Sequence, residues 1–166
     1  MADTKLAYGT AATGNGGITS LASSADWTAG YEWYVADNTT DLALDRLQQI
    51  AVTVGTTPTS GTEIRVYVVG SYDGSTWPDV MDGTPSAETW TSAGVRDGVA
   101  KLAAVMRCDS TTSNRVYSAV FSVAALFGGV VPKKCAVFVA HNTGVNLNGT
   151  GGNHTYADQP VYATSA

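Results

Sequence analysis

A catalytic base beside a nucleophile is the first chemistry to look for, and the chain has only two histidines. His141 ends an apolar run and precedes an Asn-Thr-Gly turn, while His154 lies in a loop rich in glycine and asparagine. Nucleophilic catalysis needs such a base next to a reactive side chain. Neither histidine has a Gly-x-Ser-x-Gly elbow or a Cys-Gly pair nearby. We therefore expect turn or strand-edge histidines and predict no catalytic residue and no enzyme activity.

Acidic side chains gather in two segments, around residues 73–82 and 37–41. The first contains Asp73, Asp79 and Asp82, and the second contains Asp37 and Asp41 together with the amide Asn38. Calcium binds six to eight oxygen ligands, which such loops can partly supply. Neither segment matches the Asp-x-Asp-x-Asp-Gly loop, and aspartate before glycine or asparagine is typical of turns. We expect turn chemistry and no metal site, with calcium binding as the alternative.

Cofactor binding has little support in the glycine and cysteine patterns. The run from Gly14 to Gly17 is not followed by the helix start that a phosphate-binding loop requires. The spacing of Cys108 and Cys135 fits no zinc pattern. In a reducing compartment two such cysteines are buried free thiols by default. A disulfide between them requires their strands to be neighbours, and we predict no cofactor.

Four tryptophans are many for a chain of 166 residues, and three lie near the edges of loops. Exposed aromatic rings that stack on sugars would make a carbohydrate-binding module, with Trp27, Trp77 or Trp90 as the platform. Buried aromatic rings would instead fill the ends of a sandwich or a subunit interface. We favour the second interpretation and keep the first as an alternative.

The charge of the chain excludes some classes of partner. The net charge is −5 and the isoelectric point is about 4.7, with Lys133-Lys134 as the only adjacent basic pair. A nucleic-acid-binding protein needs a basic surface, so we predict no nucleic-acid partner. The longest uncharged apolar stretch, Ala119 to Val131, is shorter than the ~20 residues of a membrane helix. Without a recognisable signal segment, synthesis in a cytosol is expected.

Short runs of β-branched and aromatic residues, separated by turn residues, predict an all-β chain of about eight strands. Their predicted bounds are Ile18–Leu21, Tyr31–Ala36, Arg46–Val54, Glu63–Ser71, Ala100–Arg107, Val116–Ala125, Cys135–His141 and Thr155–Tyr162. This spacing is typical of an antiparallel sandwich or barrel. Alternation in the fourth run places Ile64, Val66 and Val68 in the core.

The remaining segments are predicted to be loops, apart from one ambiguous stretch. Residues 40–50 contain good helix formers, but we favour a loop that leads into a strand. Residues 92–97 and 110–115 are expected to be loops. Residues 1–17 are mainly polar and are expected to be an N-terminal arm that either orders on docking or frays. Residues 18–166 are then one β-sandwich domain.

Several segments together resemble the jelly-roll decoration proteins, or head-stabilising proteins, of tailed bacteriophages. The resemblance rests on Tyr8-Gly9-Thr10, on the run from Ile18 to Ser24, and on the stretch ending Val35-Ala36-Asp37-Asn38. It continues through Leu47–Val54, Glu63–Gly70, the turn Ser71 to Pro78, and the ending that contains Gln159-Pro160-Val161-Tyr162. It covers most of the chain and is one of pattern, because no segment in it is catalytic.

The resemblance implies a jelly-roll structural virion protein, made in the bacterial cytoplasm and located on the capsid surface. It also implies a homotrimer whose partner is the major capsid protein, and no membrane partner. Flat faces that carry serine, such as Ser118 and Ser122, would allow close packing of subunits. A tail, fibre or baseplate accessory protein and a carbohydrate-binding module are the alternative functions.

Overall fold

Two antiparallel sheets of five strands each stack face to face, which confirms the predicted β-sandwich. The computed structural model describes residues 4–165. The strands are β1 Thr4–Tyr8, β2 Ala12–Asn15, β3 Ala29–Asp37, β4 Asp45–Thr53, β5 Thr62–Ser71, β6 Ser86–Thr89, β7 Lys101–Cys108, β8 Val116–Ser122, β9 Lys134–His141 and β10 Thr155–Ser165. The helices are α1 Ala93–Val99 and α2 Val123–Leu126, and Gly151–Asn153 forms a 3-10 turn.

The order of the strands is that of a jelly roll. In the first sheet neighbouring strands run β1–β10–β4–β8, and β2 pairs with β10 on the same edge as β1. The second sheet runs β6–β3–β9–β5–β7. Most connections along the chain therefore cross from one sheet to the other at an end of the sandwich. With β1 and β2 taken as one interrupted strand and β6 as an added edge, the fold has eight strands, as jelly rolls do.

The main core lies between the sheets, and a second core covers the outside of the second sheet. Ile64, Val66 and Val68 face the first core as the alternation predicted. The connection 72–100 folds over the other face, where Tyr67 and Trp90 belong to the second core. All residues of β9 after Lys134 are buried for this reason. A strand covered on both faces has an almost continuous apolar sequence rather than an alternating one.

Seven of the eight predicted strands are present, and the first is wrong. Residues 18–21 form a turn, in which the Leu21 N–H donates to the Ile18 carbonyl. Ile18 is nevertheless fully buried in the main core. Its side chain fills the end of the sandwich. The strand prediction failed because this buried apolar residue belongs to a turn. The loop preferred for residues 40–44 is confirmed, since β4 begins at Asp45.

Two short helices were missed. The predicted strand from Val116 continues only to Ser122, whose hydroxyl accepts from the Ala125 N–H and caps α2. The predicted loop 92–97 contains most of α1, capped by the Ser92 hydroxyl. Both helices are too short to show helical periodicity, and the serine caps were the only local signal.

The segment 1–17 contributes β1 and β2 to the first sheet within the described residues. Thr4–Tyr8 pairs with residues 161–165, and Ala12–Asn15 pairs with residues 155–158. Most of these residues are exposed, and their sequences have few β-branched residues. Backbone pairing with the long strand β10, rather than burial, holds them in place.

The two cysteines are buried free thiols on β7 and β9, the two neighbours of β5, and they lie opposite its two ends. Cys108 lies opposite Thr62 and Cys135 lies opposite Gly70. Eight residues of strand separate these positions by about 27 Å, whereas a disulfide needs Cα atoms within ~7 Å. Burial also raises the pKa of both thiols, to about 12 for Cys135.

We therefore expect neither cysteine of the folded protein to react with a thiol reagent. Ellman's reagent should label two thiols per chain in denaturant and almost none without it. The thermal unfolding midpoint should be the same with and without dithiothreitol. A lower midpoint in the reductant would contradict this separation, because it would require a disulfide.

Candidate interaction surfaces

Both histidines lie where they were predicted, His141 at the end of β9 and His154 in the turn before β10, and both are fully buried. The Nε2 of His141 lies 3.0 Å from the Leu21 carbonyl oxygen, and its Nδ1 lies 2.9 Å from the Thr143 hydroxyl. The Nε2 of His154 lies 2.8 Å from the Asn148 carbonyl oxygen, and its Nδ1 accepts from the Thr53 N–H. Burial lowers the pKa of both, to about 4 for His141. They hold loops to strands and reach no solvent.

The acidic residues of the two predicted clusters act separately as caps of their own loops. Asp73 accepts from the Thr76 hydroxyl and from the N–H groups of Thr76 and Ser75, which holds its pKa well below the usual range. Asp79 accepts from Thr91. Asp82 accepts from the Thr84 N–H, Asp37 from Thr39, and Asp41 pairs with Arg46. Among residues 4–165, no three acidic, histidine or cysteine side chains meet in a group that could hold a metal ion.

All four tryptophans pack against one of the two cores, and two of them, Trp33 and Trp90, are buried. Trp33 lies in the main core, and Trp90 lies in the second core, where its ring meets Phe138 edge to face. Trp77 packs against the second core. The ring of Trp27 is covered by the Arg65 guanidinium, 3.5 Å from the ring centre. Trp33 and Trp90 are therefore closed to a ligand, while Trp27 and Trp77 are partly buried.

A buried ion pair joins β4 to β10 inside the sandwich. The Asp158 carboxylate is fully buried and accepts hydrogen bonds from Arg46 through Nε and NH2. It also accepts from the Gln48 amide at 2.9 Å and from the Tyr34 hydroxyl, which reaches across from the second sheet, at 3.0 Å. Burial lowers the pKa of Arg46, but the hydrogen bonds and charge of Asp158, together with the hydrogen bond to Asp41, outweigh burial and raise it.

The outer face of the first sheet is almost free of charge. The cross-strand pairs place on it Gln49 and Ala51 of β4, Ser118 and Val120 of β8, Thr155, Ala157 and Gln159 of β10, Thr13 and Asn15 of β2, and Leu6 and Tyr8 of β1. We call these eleven residues the uncharged face. Among the described strand residues, Asp45 at the end of β4 is the one charged side chain on this side of the sheet. Its carboxylate is occupied by the Ser122 hydroxyl and the Ala124 N–H.

Strand β8 forms the free edge beside this face. Among the described residues it pairs only with β4. Its sequence, Val-Tyr-Ser-Ala-Val-Phe-Ser, has neither a charge nor a proline. Tyr117, Ala119 and Phe121 point into the sandwich as predicted, while Val116 and Val120 are exposed by 57% and 67%. Natural edge strands usually carry charges, prolines or bulges that block pairing, and β8 has no charge or proline.

A second exposed apolar region lies at one end of the sandwich. It consists of Leu42, Leu44, Tyr72 and Val130, which are between 53% and 80% exposed. We call these four residues the apolar tip. Its loops are tied together by a hydrogen bond from the Asn38 N–H to the Lys133 carbonyl. Next to Tyr72 and Val130 lies a pocket of about 420 Å³, whose walls include Phe127 and Pro132.

The adjacent lysines do not form a basic surface. Lys134 begins β9 and forms an ion pair with Asp37 at 3.5 Å. Lys133 lies at the rim of the pocket beside the apolar tip. No helix in the described residues is long and apolar enough to cross a membrane.

No protein-family model matches this chain, and a comparison with curated proteins finds no significant match. The resemblance to phage decoration proteins therefore stays a prediction from the sequence.

Sequence reasoning found part of the uncharged face and missed the apolar tip. Ser118 was identified as an outward residue suited to subunit packing, and it lies at the centre of β8. The exposed valines of β8 gave no signal, because valine in a strand is usually taken for core. The tip is assembled from three separate loops that no sequence spacing connects.

Proposed function

We propose that this chain is a structural virion protein of a tailed bacteriophage, one that decorates and stabilises the capsid. It would bind the outer face of the major capsid protein lattice as a homotrimer. It would be made in the bacterial cytoplasm and be located on the capsid surface. The proposal gives the chain no enzymatic role.

The observation that supports this proposal best is a rigid jelly roll with two separate exposed surfaces suited to protein contacts. The uncharged face lies on regular strands, and the apolar tip lies on loops that are tied to one another. A decoration protein has to bind its own copies and the shell beneath it, which requires two such surfaces. Exposed contiguous apolar residues on a soluble protein are typical of interaction sites. We assign the apolar tip to the capsid.

The test is sedimentation of the purified protein with empty capsids assembled from the major capsid protein encoded with it. We expect the protein to sediment with the capsids in a saturable amount, and Val130→Lys in the tip to weaken binding at least tenfold. Val105→Lys is the matched control, since this valine is 46% exposed on the other sheet, opposite Arg65. It should bind as the wild type does.

Absence of binding to capsids would refute the capsid role. Binding to purified tails instead would favour the tail, fibre or baseplate alternative. Equal loss of binding in both variants would show that the tip is not the docking surface.

A further inference from the structure

We infer that copies of this chain associate with one another through the uncharged face and the adjoining edge of β8. The inference deepens the proposed function, on which it rests for the expectation that the protein works as an oligomer. The choice of surface, and of a second copy as its occupant, follows from charge, from the free edge strand and from the size of the face.

Charge favours a second copy of the same chain as the occupant. The chain carries 9 basic and 14 acidic residues, so two copies repel each other on average. Opposed like charges at an interface cost several kcal/mol. The uncharged face is where two copies can meet without that cost. Charged residues of the same sheet, such as Lys5 and Arg46, point to its other side.

The edge strands of the two sheets also differ in the charges that they carry. The edge strand β7 carries Lys101 and Arg107, β6 carries Glu88, and β1 carries Lys5. The remaining edge strand, β2, is uncharged but has only four residues, one of them glycine. Strand β8 is therefore the longest edge strand of the described chain without a charge. Its outward N–H and C=O groups have no strand partner in the described residues and can pair with a neighbouring protein chain.

The size of the face is adequate for a specific contact. It spans four neighbouring strand positions and extends along β10 over nine residues, from Thr155 to Ala163, which lies opposite Leu6. At about 4.8 Å between strands and 3.4 Å per residue, it covers roughly 19 by 30 Å. Stable interfaces bury about 800 Å² per partner. The face and the β8 edge together provide an area of this order.

The test compares the solution mass of three proteins by light scattering after gel filtration. We expect the wild type to run as an oligomer, at three times the 17.1 kDa of one chain for the proposed homotrimer. Val120→Lys places a charge at the centre of the contact and should give a monomer. Val105→Lys, the same substitution on the other sheet, should keep the mass of the wild type.

Circular dichroism of each variant shows whether it is folded, and Val120 is exposed enough that folding should be unaffected. Gln49→Lys, opposite Val120 on β4, is a second variant that should also give a monomer. An oligomer that survives Val120→Lys and Gln49→Lys would overturn the assignment of the surface and leave the proposed function intact. A monomeric wild type would overturn self-association itself. Capsid sedimentation tests the proposed function separately, whichever mass is found.

Discussion

Replacing Asp158 with asparagine is expected to destabilise the fold by about 3–5 kcal/mol, the cost of leaving one member of a buried ion pair without its partner. Asp158 is fully buried and accepts from Arg46, Gln48 and Tyr34. Asparagine retains the shape and removes the charge, so the buried Arg46 guanidinium would keep only the partly exposed Asp41 carboxylate as an ionic partner. Urea unfolding at pH 7, followed by tryptophan fluorescence, measures the effect.

The matched control is Asp109→Asn. Asp109 pairs with Arg115 at 3.3 Å, and both side chains are about half exposed. Exposed pairs of this kind contribute roughly 0–1 kcal/mol. A loss of stability at Asp158 no larger than at Asp109 would contradict the role assigned to the buried pair. A double replacement of Arg46 and Asp158 by apolar residues should be much milder than the single change, because it leaves no buried charge unpaired.

Sequence could predict the parts of the fold in which the residue pattern of a single strand indicates which of its faces is buried. In β5 the alternation of Ile64, Val66 and Val68 with polar residues indicated the core face, and the structure confirms it. The run Cys135–His141 was predicted to be a strand, and it forms β9 with only Lys134 added. These strands lie in the middle of the second sheet, where burial by neighbours and sequence pattern agree.

The parts that sequence could not predict depend on distant residues. The polar side chains of Arg46 and Asp158 are 112 residues apart and meet only because β4 and β10 are neighbours. Tyr67 lies on the face of β5 that points away from the main core, but the connection 72–100 covers that face and buries it. No local sequence pattern predicts that a connection will fold back over a sheet.

The candidate surfaces were partly predictable for a related reason. An outward serine such as Ser118 is compatible with solvent and with a neighbouring subunit alike. What distinguishes the uncharged face is the absence of charge across four strand positions, from Thr13 on β2 to Val120 on β8. That absence becomes visible only when the register of the strands is known.

Glu32 is expected to make the protein less stable as the pH rises from about 4.5 to about 7. It is fully buried on β3, beside Phe138 in the second sheet. One carboxyl oxygen accepts from the Asp82 N–H at 3.3 Å, and the other has no hydrogen-bond partner. Burial, together with the nearby acids Asp82 and Glu88, raises the pKa of Glu32 to about 7.

The direction of this pH dependence follows from whether the folded or the unfolded chain holds the Glu32 proton more tightly. Below pH 4.5 Glu32 is protonated in both the folded and the unfolded chain, so the full stability is present. Between pH 4.5 and 7 the unfolded chain releases this proton while the folded chain retains it, so the free energy of unfolding falls. A pKa displacement of this size corresponds to roughly 3 kcal/mol. Above pH 7 no further loss from this group is expected.

The measurement compares the wild type with Glu32→Gln by urea unfolding at intervals from pH 4.5 to 8.5. Glutamine keeps an acceptor for the Asp82 N–H and never ionises, so the variant should gain relative to the wild type as the pH rises. His141 and His154 have lowered pKa values and act in the opposite direction, since their stability is present above pH 6.5 and lost as the pH falls. They are unchanged in the variant, and the difference between the two proteins therefore isolates Glu32. Parallel profiles would mean that Glu32 is ionised in the folded protein and that its buried oxygens have other partners.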